Sequence, residues 1–353
     1  MARALTLARR GLYHTDPNPR VGCVLVREGA IVGEGWHRRA GEPHAEANAL
    51  EAAGERARGA TAYVTLEPCC HYGRTPPCTD ALLDAGVSRL VAAMTDPNPQ
   101  VAGKGLAILR EAGLAVECGL LAAEAQALNP GFIRRMTEGR PFVRVKLAMS
   151  LDGRTALASG ESRWLTGEAA RLDVQRLRAR SSAIMTGSGT LLADDPGLNV
   201  RLPEAERQPL RVILDTDLRT PPTAKTFRLP GAVLVCTAVA DAARQAPLRE
   251  ADAIIAVLPR LDSGLDLRAV TGELARRECN ELHVECGPAL AGALLQAGLL
   301  DELVIYLAPL LLGDRARGLF RLPELTRMRE RRELEILDTR AVGRDWRLTL
   351  RPR

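Results

Sequence analysis

The sequence predicts an α/β protein of two domains, each built around its own sheet. Three observations predict this class. The chain has 353 residues, more than a single hydrophobic core usually organises. Its hydrophobic content of 46% and charged content of 26% are typical of a soluble globular protein. Strand and helix patterns alternate along the chain in two series, which favours partly parallel sheets covered by helices.

The first series, residues 1–120, predicts a three-layer α/β/α domain. It opens with MARALTLARRGLYH, an amphipathic helix pattern. Apolar strands separated by a glycine turn then predict a hairpin over 21–36. The remaining elements are a helix over 44–57, a strand over 59–67, a helix over 79–87, a strand over 88–96, a helix over 104–113 and a closing strand, LAVECG.

The second series follows a connector of helix and turn over 121–142, and residues 143–353 form the second α/β domain. Its strands are predicted at PFVRVKLAMS, AIMTGSG, LRVILDT, AVLVCT, AIIAVLP, ELHVECG and ELVIYLAP. Helices such as GEAARLDVQRLRARS separate them, and the tail LEILDTRAVGRDWRLTLR predicts a closing hairpin.

Composition and charge exclude several classes of function. Aromatic residues make up 3% of the chain and do not alternate with arginine, which argues against a stacking surface for single-stranded nucleic acid. Scattered arginines and a net charge of +5 suit a phosphorylated small substrate. No apolar run approaches the roughly 18 residues that a membrane span needs. The N-terminus lacks the apolar core of a signal peptide, so we expect a cytoplasmic protein with reduced thiols.

Thiols and prolines gather in VTLEPCCHYGRTPPCTDALL, residues 64–83, where three of the eight cysteines fall within ten residues. A disulfide, a metal site and chance are the alternatives. The other cysteines show no disulfide spacing, so a disulfide is disfavoured. Cys69 and Cys78 each follow a proline, which suits the first turn of a helix. We therefore expect both thiols near helix N-termini, where the helix dipole favours the thiolate that binds metal.

His44 and Glu46, in the tripeptide HAE, complete the pattern. One imidazole and two thiolates leave a fourth tetrahedral position for water, as in catalytic zinc sites. Zinc deaminases carry H-x-E and P-C-x-x-C, with the glutamate as proton carrier and not as ligand. Here the second half is P-C-x8-C, with the loop CHYGRTPP inserted. Cys70 is an alternative ligand to Cys69 but is expected to fill space, and Cys23 is expected in the core.

With HAE, TLEPC and GRTPPC, the chain resembles the bifunctional riboflavin-biosynthesis deaminase–reductase family over nearly its whole length. The resemblance extends to PNPRVG (17–22), DPNP (96–99), KLAMSLDGRTALASGESRWLT (146–166), ADDPGLNVR (193–201) and VECGPALAGALL (284–295). It implies a cytidine-deaminase-like three-layer domain followed by a dihydrofolate-reductase-like α/β domain. It also implies zinc held by His44, Cys69 and Cys78, with Glu46 moving protons.

The resemblance implies two successive reactions. The first is hydrolytic deamination of 2,5-diamino-6-ribosylamino-4(3H)-pyrimidinone 5′-phosphate. The second is NADPH-dependent reduction of the ribosyl group, which gives 5-amino-6-ribitylamino-uracil 5′-phosphate. The implied deaminase pocket residues are Asn18, His71, Arg74 and Asn98. The implied cofactor contacts are Ala148, Trp164, Thr190, Asp194, Gly287, Pro288, Ala289, Leu290, Ala291, Gly292 and Ala293. The implied reductase substrate contacts are Lys146, Ser162, Arg178, Leu198, Arg201 and Glu285.

Several of these positions keep a second interpretation. His71 and Arg74 also fit an exposed loop. Arg178 and Arg201 suit a phosphate by guanidinium geometry, although Arg178 also fits a solvated helix face. Lys146 is expected either to contact the substrate or to pair with an acidic side chain. Asp194 is a candidate proton donor for the reductase and no more than that.

Two other functions remain to be distinguished. One is a nucleoside or tRNA deaminase with an unrelated C-terminal domain. The other is a binding protein with a closed zinc site, in which Cys70 supplies the fourth ligand. The chain starts inside what resembles the family's first helix, so we expect a few leading residues to be missing and one edge to fray, away from the zinc ligands. A homo-oligomer is expected by analogy with the family alone.

Overall fold

The computed structural model describes residues 1–72, 76–203 and 205–353. The chain forms two compact units, Met1–Arg140 and Pro141–Arg353. The segment expected as a connector contains two helices, and its buried Ala125 and Phe132 pack with Leu66 and Met94. This segment is therefore part of the first unit.

The first unit has the predicted alternation of helices and strands. Its described helices are α1 (Ala2–Ala8), α2 (Ala45–Ala53), α3 (Cys78–Asp84), α4 (Lys104–Glu111), α5 (Ala122–Leu128) and α6 (Pro130–Glu138). Its described strands are β1 (Gly22–Arg27), β2 (Ala30–Trp36), β3 (Thr61–Val64), β4 (Arg89–Ala92) and β5 (Ala115–Cys118). Short 3₁₀ turns follow α1 and α2 at Arg9–Gly11 and Gly54–Ala57.

The sheet of the first unit has the order β2-β1-β3-β4-β5 in the part of the chain described. The predicted hairpin β1–β2 is antiparallel, and β3, β4 and β5 run parallel. Alternate residues of β1 face opposite layers. Cys23 and Leu25 pack with Ala49 of α2, whereas Val24 packs with Leu7 of α1. The predicted three layers and the core position of Cys23 are confirmed.

Helix α2 lies against the backbone of β2 because β2 has glycine at the point of contact. A Cβ on Gly35 would lie 2.3 Å from the carbonyl oxygen of Ala45 and 2.4 Å from the nitrogen of Ala49. Any larger residue would push the helix away from the sheet. Gly35 thereby fixes the height above the sheet of the first turn of α2, where His44 and Glu46 lie.

The second unit contains the remaining elements. Its described strands are β6 (Phe142–Ser150), β7 (Arg154–Ala156), β8 (Ala183–Gly187), β9 (Leu210–Leu214), β10 (Val233–Thr237), β11 (Ala253–Val257), β12 (Arg260–Leu261), β13 (Gly264–Leu265), β14 (Glu281–Glu285), β15 (Glu302–Ala308), β16 (Arg317–Gly318), β17 (Leu334–Val342) and β18 (Asp345–Pro352). Its described helices are α7 (Glu168–Arg180), α8 (Ser188–Asp194), α9 (Ala242–Glu250), α10 (Leu267–Arg276) and α11 (Pro288–Gln296), with 3₁₀ turns at Lys225–Arg228 and Met328–Glu330.

The main sheet of this unit has the order β11-β10-β9-β8-β14-β6-β15-β18-β17 among the described strands. It is parallel from β11 to β15 and ends in the predicted antiparallel hairpin. One face is apolar, with Val145 and Val284 in the core. The other face, towards α7, has buried ion pairs such as Arg144–Glu281. The second face also carries apolar clusters that include Ile213 and Tyr306, so alternation along the strands separates the main core from a face of mixed ionic and apolar contacts.

No helix among the described residues is both long and apolar enough to cross a bilayer.

Candidate active sites

His44, Cys69 and Cys78 converge in the first unit. His44 is the N-cap residue of α2, Cys69 lies in the irregular segment after β3, and Cys78 is the first residue of α3. The Nδ1 of His44 lies 3.3 Å from the Sγ of Cys78 and 3.5 Å from the Sγ of Cys69. The three potential ligand atoms all lie within 4.8 Å of one another.

These distances fit a tetrahedral zinc ion. Zinc bonds of about 2.3 Å to sulfur and about 2.0–2.1 Å to nitrogen place an imidazole nitrogen about 3.6 Å from a thiolate sulfur. The two measured sulfur-to-nitrogen distances of 3.3 and 3.5 Å match this value. Hydrogen bonds from Cys78 and His44 lower the pKa of Cys69 to about 4, which favours the thiolate that binds metal. The site therefore suits zinc in both geometry and charge.

The expectation that both thiols lie at helix N-termini is correct for Cys78 and wrong for Cys69. The chain continues beyond β3 without forming a helix before Tyr72, so Pro68 precedes irregular backbone and not the first turn of a helix. The sulfur of Cys69 nevertheless accepts a hydrogen bond from the backbone N–H of Cys78, at 3.4 Å. The backbone amide of Cys78, at the start of α3, is thus bonded to a thiol nine residues earlier in the chain. Local sequence patterns do not show such a contact.

Glu46 lies in the first turn of α2 and is buried at 3% exposure. Burial raises the pKa of Glu46 to about 7. A carboxyl group with a pKa near 7 can both accept and release a proton under neutral conditions. Cys70 is not part of the cluster of three potential ligands and is partly exposed, and a space-filling role for it stays a prediction.

Among the residues implied for the deaminase pocket, Asn18 and Asn98 make hydrogen bonds to neighbouring residues. The side-chain nitrogen of Asn18 lies 3.1 Å from Nε2 of His37. The backbone N–H of Asn98 bonds to Asp96, and the side-chain oxygen of Asn98 accepts from the N–H of Gln100. His71 is exposed. Arg74 lies outside the described residues.

His37 was not identified from the sequence. It is buried, bonds through Nδ1 to the carbonyl oxygen of Pro43, and packs edge-on against the ring of His44, with centroids 5.2 Å apart. Burial lowers its pKa and favours the neutral ring. With Nδ1 donating to Pro43, Nε2 accepts from Asn18. Its position directly after strand β2 was the available signal.

In the second unit, two helices that each begin directly after a glycine lie next to each other at the carboxyl ends of the strands. Gly187 precedes α8 and Gly287 precedes α11, after the neighbouring parallel strands β8 and β14. A Cβ on Gly287 would lie 3.9 Å from the hydroxyl of Thr190, and one on Gly187 would lie 3.8 Å from Leu290. Such an edge, at the carboxyl ends of parallel strands, is where α/β sheets bind ligands.

The implied cofactor contacts divide into open and packed positions. Gly287, Pro288, Ala289, Leu290 and Ala293 are at least partly exposed. Ala291 and Gly292 are buried, and a Cβ on Gly292 would lie 2.0 Å from the carbonyl oxygen of Arg321. The side-chain positions of these two residues therefore serve helix packing.

The remaining implied cofactor contacts are spread over three elements. Ala148 lies on β6 and is partly buried. The ring of Trp164 is 69% exposed, and the guanidinium of Arg171 lies 4.8 Å from its centroid. Asp194, at the end of α8, lies 3.7 Å from Arg163. The exposed face of Trp164 is available to a ligand.

Two of the implied reductase substrate residues, Arg178 and Glu285, form a largely buried ion pair. Nε and Nη2 of Arg178 donate to the Glu285 carboxylate at 2.6 and 2.9 Å, and Nη1 donates to the carbonyl oxygen of Asn199. Arg178 is 8% exposed, so a solvated face is wrong for it. His283, missed in the sequence, lies with its Nε2 3.2 Å from the same carboxylate.

Lys146 and Arg201 lie near the Arg178–Glu285 pair, and the charges of that pair contribute to the pKa values of both residues. Half-buried Lys146 has its Nζ 5.9 Å from the Tyr306 ring, and no carboxylate of the described residues lies within ion-pair distance of it. Burial lowers its pKa. Arg201 is exposed, and its backbone N–H donates to Gln175. Leu198 is buried and Ser162 is partly exposed.

Comparison with known proteins decides the family. The model of the RibD C-terminal domain matches residues 141–348. The model of the cytidine and deoxycytidylate deaminase zinc-binding region matches residues 1–94. The riboflavin biosynthesis protein RibD of Escherichia coli K12 is 52% identical, over 98% of this chain and 96% of the relative. The chain belongs to the RibD family.

Other RibD proteins agree over the full length. The Haemophilus influenzae protein is 51% identical over 100% of this chain and 96% of its own length. Acinetobacter baumannii RibD has a TM-score of 0.93 at 47% identity, covering 100% of this chain and 97% of that one. A deaminase/reductase from Thermotoga maritima has a TM-score of 0.88 at 33% identity, with the same coverage.

As a RibD family member, the chain is a bifunctional riboflavin biosynthesis enzyme, with hydrolase and oxidoreductase activities. The predicted fold class is confirmed: a cytidine-deaminase-like domain precedes a RibD reductase domain. A deaminase with an unrelated C-terminal domain is excluded, because RibD relatives match both halves. A zinc-stabilised binding protein without turnover is excluded on the same ground.

Proposed function

We propose that this enzyme first deaminates 2,5-diamino-6-ribosylamino-4(3H)-pyrimidinone 5′-phosphate. It then reduces the ribosyl group with NADPH to give 5-amino-6-ribitylamino-uracil 5′-phosphate. The Thermotoga relative is a diaminohydroxyphosphoribosylaminopyrimidine deaminase and 5-amino-6-(5-phosphoribosylamino)uracil reductase. The observation that carries the proposal for this chain is the convergence of His44, Cys69 and Cys78 beside buried Glu46.

In the deaminase, His44, Cys69 and Cys78 hold zinc. Bound zinc lowers the pKa of water towards neutrality and so supplies a nucleophile for the amino-bearing ring carbon. Glu46 accepts the proton of that water, since burial places its pKa near 7. It passes that proton to the ring nitrogen, then takes the remaining proton from the oxygen that has bonded to the ring carbon and gives it to the amino group, which leaves as ammonia. Free thiols must stay reduced for this chemistry, which suits a cytoplasmic location.

The pyrimidine binds against polar side chains that other residues orient. Neutral His37 holds Asn18 by accepting its amide hydrogen, which leaves the amide oxygen of Asn18 for the substrate. The side-chain nitrogen of Asn98 is available in the same way, because its oxygen is used by Gln100. His71, and by the resemblance Arg74, complete this pocket. The exposure of His71 and the guanidinium charge of Arg74 would suit the substrate's phosphate.

In the reductase, NADPH lies along the sheet edge between the starts of α8 and α11. Bound NADPH supplies the hydride for the first carbon of the sugar. The amides at the start of α11, after Gly287, suit its phosphates, and the open face of Trp164 suits an aromatic ring. By the resemblance, the same cofactor would also contact Ala148, Thr190, Asp194, Pro288, Ala289, Leu290 and Ala293, with buried Ala291 and Gly292 supporting the helix.

The sugar phosphate binds among Lys146, Ser162, Leu198, Arg201 and Glu285. Exposed Arg201 suits the phosphate, because its guanidinium has no carboxylate partner among the described residues. Leu198 contacts through its backbone, since its side chain is buried. Arg178 contributes less directly, because three of its nitrogens are already bonded. Lys146, a cation without an acid partner there, suits a sugar hydroxyl.

An assay that follows both products in time tests this proposal. Ammonia release and loss of NADPH absorbance are recorded together with the zinc-replete enzyme and the diaminopyrimidine. We expect ammonia to appear first and NADPH oxidation to follow after a lag. NADPH oxidation without ammonia release would contradict the proposed order, and no ammonia release would contradict the proposed substrate.

A further inference from the structure

Glu67 is a buried carboxylate to which no role has yet been assigned. It is 3% exposed and lies two residues before Cys69. Its hydrogen-bond partners are backbone N–H groups from a different part of the chain. Oε2 accepts from Asp96 at 3.0 Å and from Gly103 at 2.9 Å, and Oε1 accepts from Leu106 at 3.2 Å. A charged acceptor buried against three amides is a strong and geometrically specific contact.

The three amides belong to one loop and the helix that follows it. Loop 96–103 is the later part of the segment between β4 and α4, and Gly103 ends it as the N-cap residue of α4. Leu106 is in the first turn of α4, which has no cap from its own side chains. Glu67 therefore caps α4 from outside and joins the two ends of loop 96–103.

This loop lies on the zinc side of the sheet. Strands β3 and β4 are parallel neighbours, so the segments after them, which carry Cys69 and Asp96, leave the same edge. Burial, together with the nearby charges of Glu67 and Cys69, raises the pKa of Asp96 to about 6, so these groups are close together. Asn98 lies within the loop, with its backbone N–H bonded to Asp96.

We propose that Glu67 is a positioning residue of the deaminase, which closes loop 96–103 and thereby holds Asn98 in place for the pyrimidine. The inference rests on the proposed function, in which Asn98 contacts substrate. Glu67 does not touch the substrate or the metal. It acts through three backbone amides, and the buried contact of Gly105 with the carbonyl oxygen of Pro68 keeps α4 against the same segment.

Glu67→Ala removes all three acceptor bonds and tests the proposal in the full-length, zinc-replete enzyme. We expect the KM for the diaminopyrimidine to rise about tenfold, with zinc content and reductase activity unchanged. Amide exchange at Asp96, Gly103 and Leu106 should become faster. Glu111→Gln, on the exposed last turn of the same helix, is the matched control and should behave as wild type.

A double variant tests whether Glu67 acts by positioning Asn98 or by supporting the fold in general. If Glu67 acts through the loop, adding Glu67→Ala to Asn98→Ala should raise KM less than about twofold further. A fully additive effect would overturn the proposal. So would an unchanged KM in Glu67→Ala, or a loss of activity that simply follows loss of zinc.

Glu67→Gln keeps the proposal testable if Glu67→Ala does not fold. Its amide oxygen can still accept from Asp96 and Gly103, while its NH₂ group faces the N–H of Leu106. We expect a KM between those of wild type and Glu67→Ala, and intermediate exchange at Leu106. Gln as impaired as Ala would contradict the proposal. If the wild-type enzyme does not deaminate this pyrimidine, the proposed substrate fails, and exchange still decides whether Glu67 closes the loop.

Discussion

Arg178 holds Glu285 through two parallel hydrogen bonds, from Nε at 2.6 Å and from Nη2 at 2.9 Å. The two residues are 107 positions apart in sequence and meet between α7 and β14. A third bond, from Nη1 to Asn199, ties the same guanidinium to the loop before Arg201. Arg178 thus sets the orientation of a carboxylate and of the loop that carries Arg201, the residue proposed to bind the substrate phosphate.

Arg178→Lys should impair the reductase and spare the deaminase. An ammonium group cannot reproduce the two-bond contact with Glu285 or reach Asn199 as well. We expect the reductase kcat/KM to fall about tenfold to hundredfold, measured with pre-deaminated substrate. Arg176→Lys, on the exposed face of the same helix, is the control and should change little. Equal loss in both variants would contradict the role of this ion pair.

Gly35→Ala should weaken zinc binding. The added Cβ would lie 2.3 Å from the carbonyl oxygen of Ala45, so α2 must move away from β2 and carry His44 with it. We expect a stability loss of about 1–3 kcal/mol in urea unfolding and a lower zinc content. Gly272→Ala, where a Cβ meets no described atom within 4 Å, serves as the control and should not destabilise the protein. Full zinc occupancy in Gly35→Ala would count against this packing argument.

Glu46→Gln should keep zinc but stop deamination. The amide has nearly the shape of the carboxyl group but cannot carry the proton. We expect a loss of about 10²–10⁴-fold in deamination rate, the range of general acid–base catalysis. Metal analysis should find unchanged zinc, and NADPH oxidation with pre-deaminated substrate should continue. Loss of both activities together would show that the two sites are not independent.

Removal of zinc should affect one activity only. His44, Cys69 and Cys78 all lie in the first unit, whereas the residues proposed to bind NADPH lie in the second. Treatment with a strong chelator should abolish ammonia release, and added zinc should restore it. The reductase should retain its rate with pre-deaminated substrate. A parallel loss of reductase activity would mean that its fold depends on the metal.

The zinc ligands could be predicted because their chemistry is local in sequence. His44 and Glu46 share a tripeptide, and proline marks both ligand cysteines. The order of strands along the chain could be predicted as well, because apolar runs and glycine turns are local signals. Cys69 departed from its expected helix start, because the amide that reaches its sulfur belongs to Cys78, nine residues later.

Contacts over long sequence distances could not be predicted. Glu67 meets amides 29 to 39 residues away, and nothing near it in sequence shows that loop. The charges of α7 suggested a solvated face for Arg178, whereas the structure buries it on an ionic face of the sheet. Strand alternation shows which residues share a face, but only the packing of α7 decides whether that face is buried.

The most direct test of the account is product identification by mass spectrometry. Purified zinc-replete enzyme is incubated with the diaminopyrimidine ribosyl phosphate, with and without NADPH. We predict the deaminated ribosyl product alone without NADPH, and its ribityl form when NADPH is present. Unchanged substrate in both reactions, or a reduced product that keeps its amino group, would contradict the account.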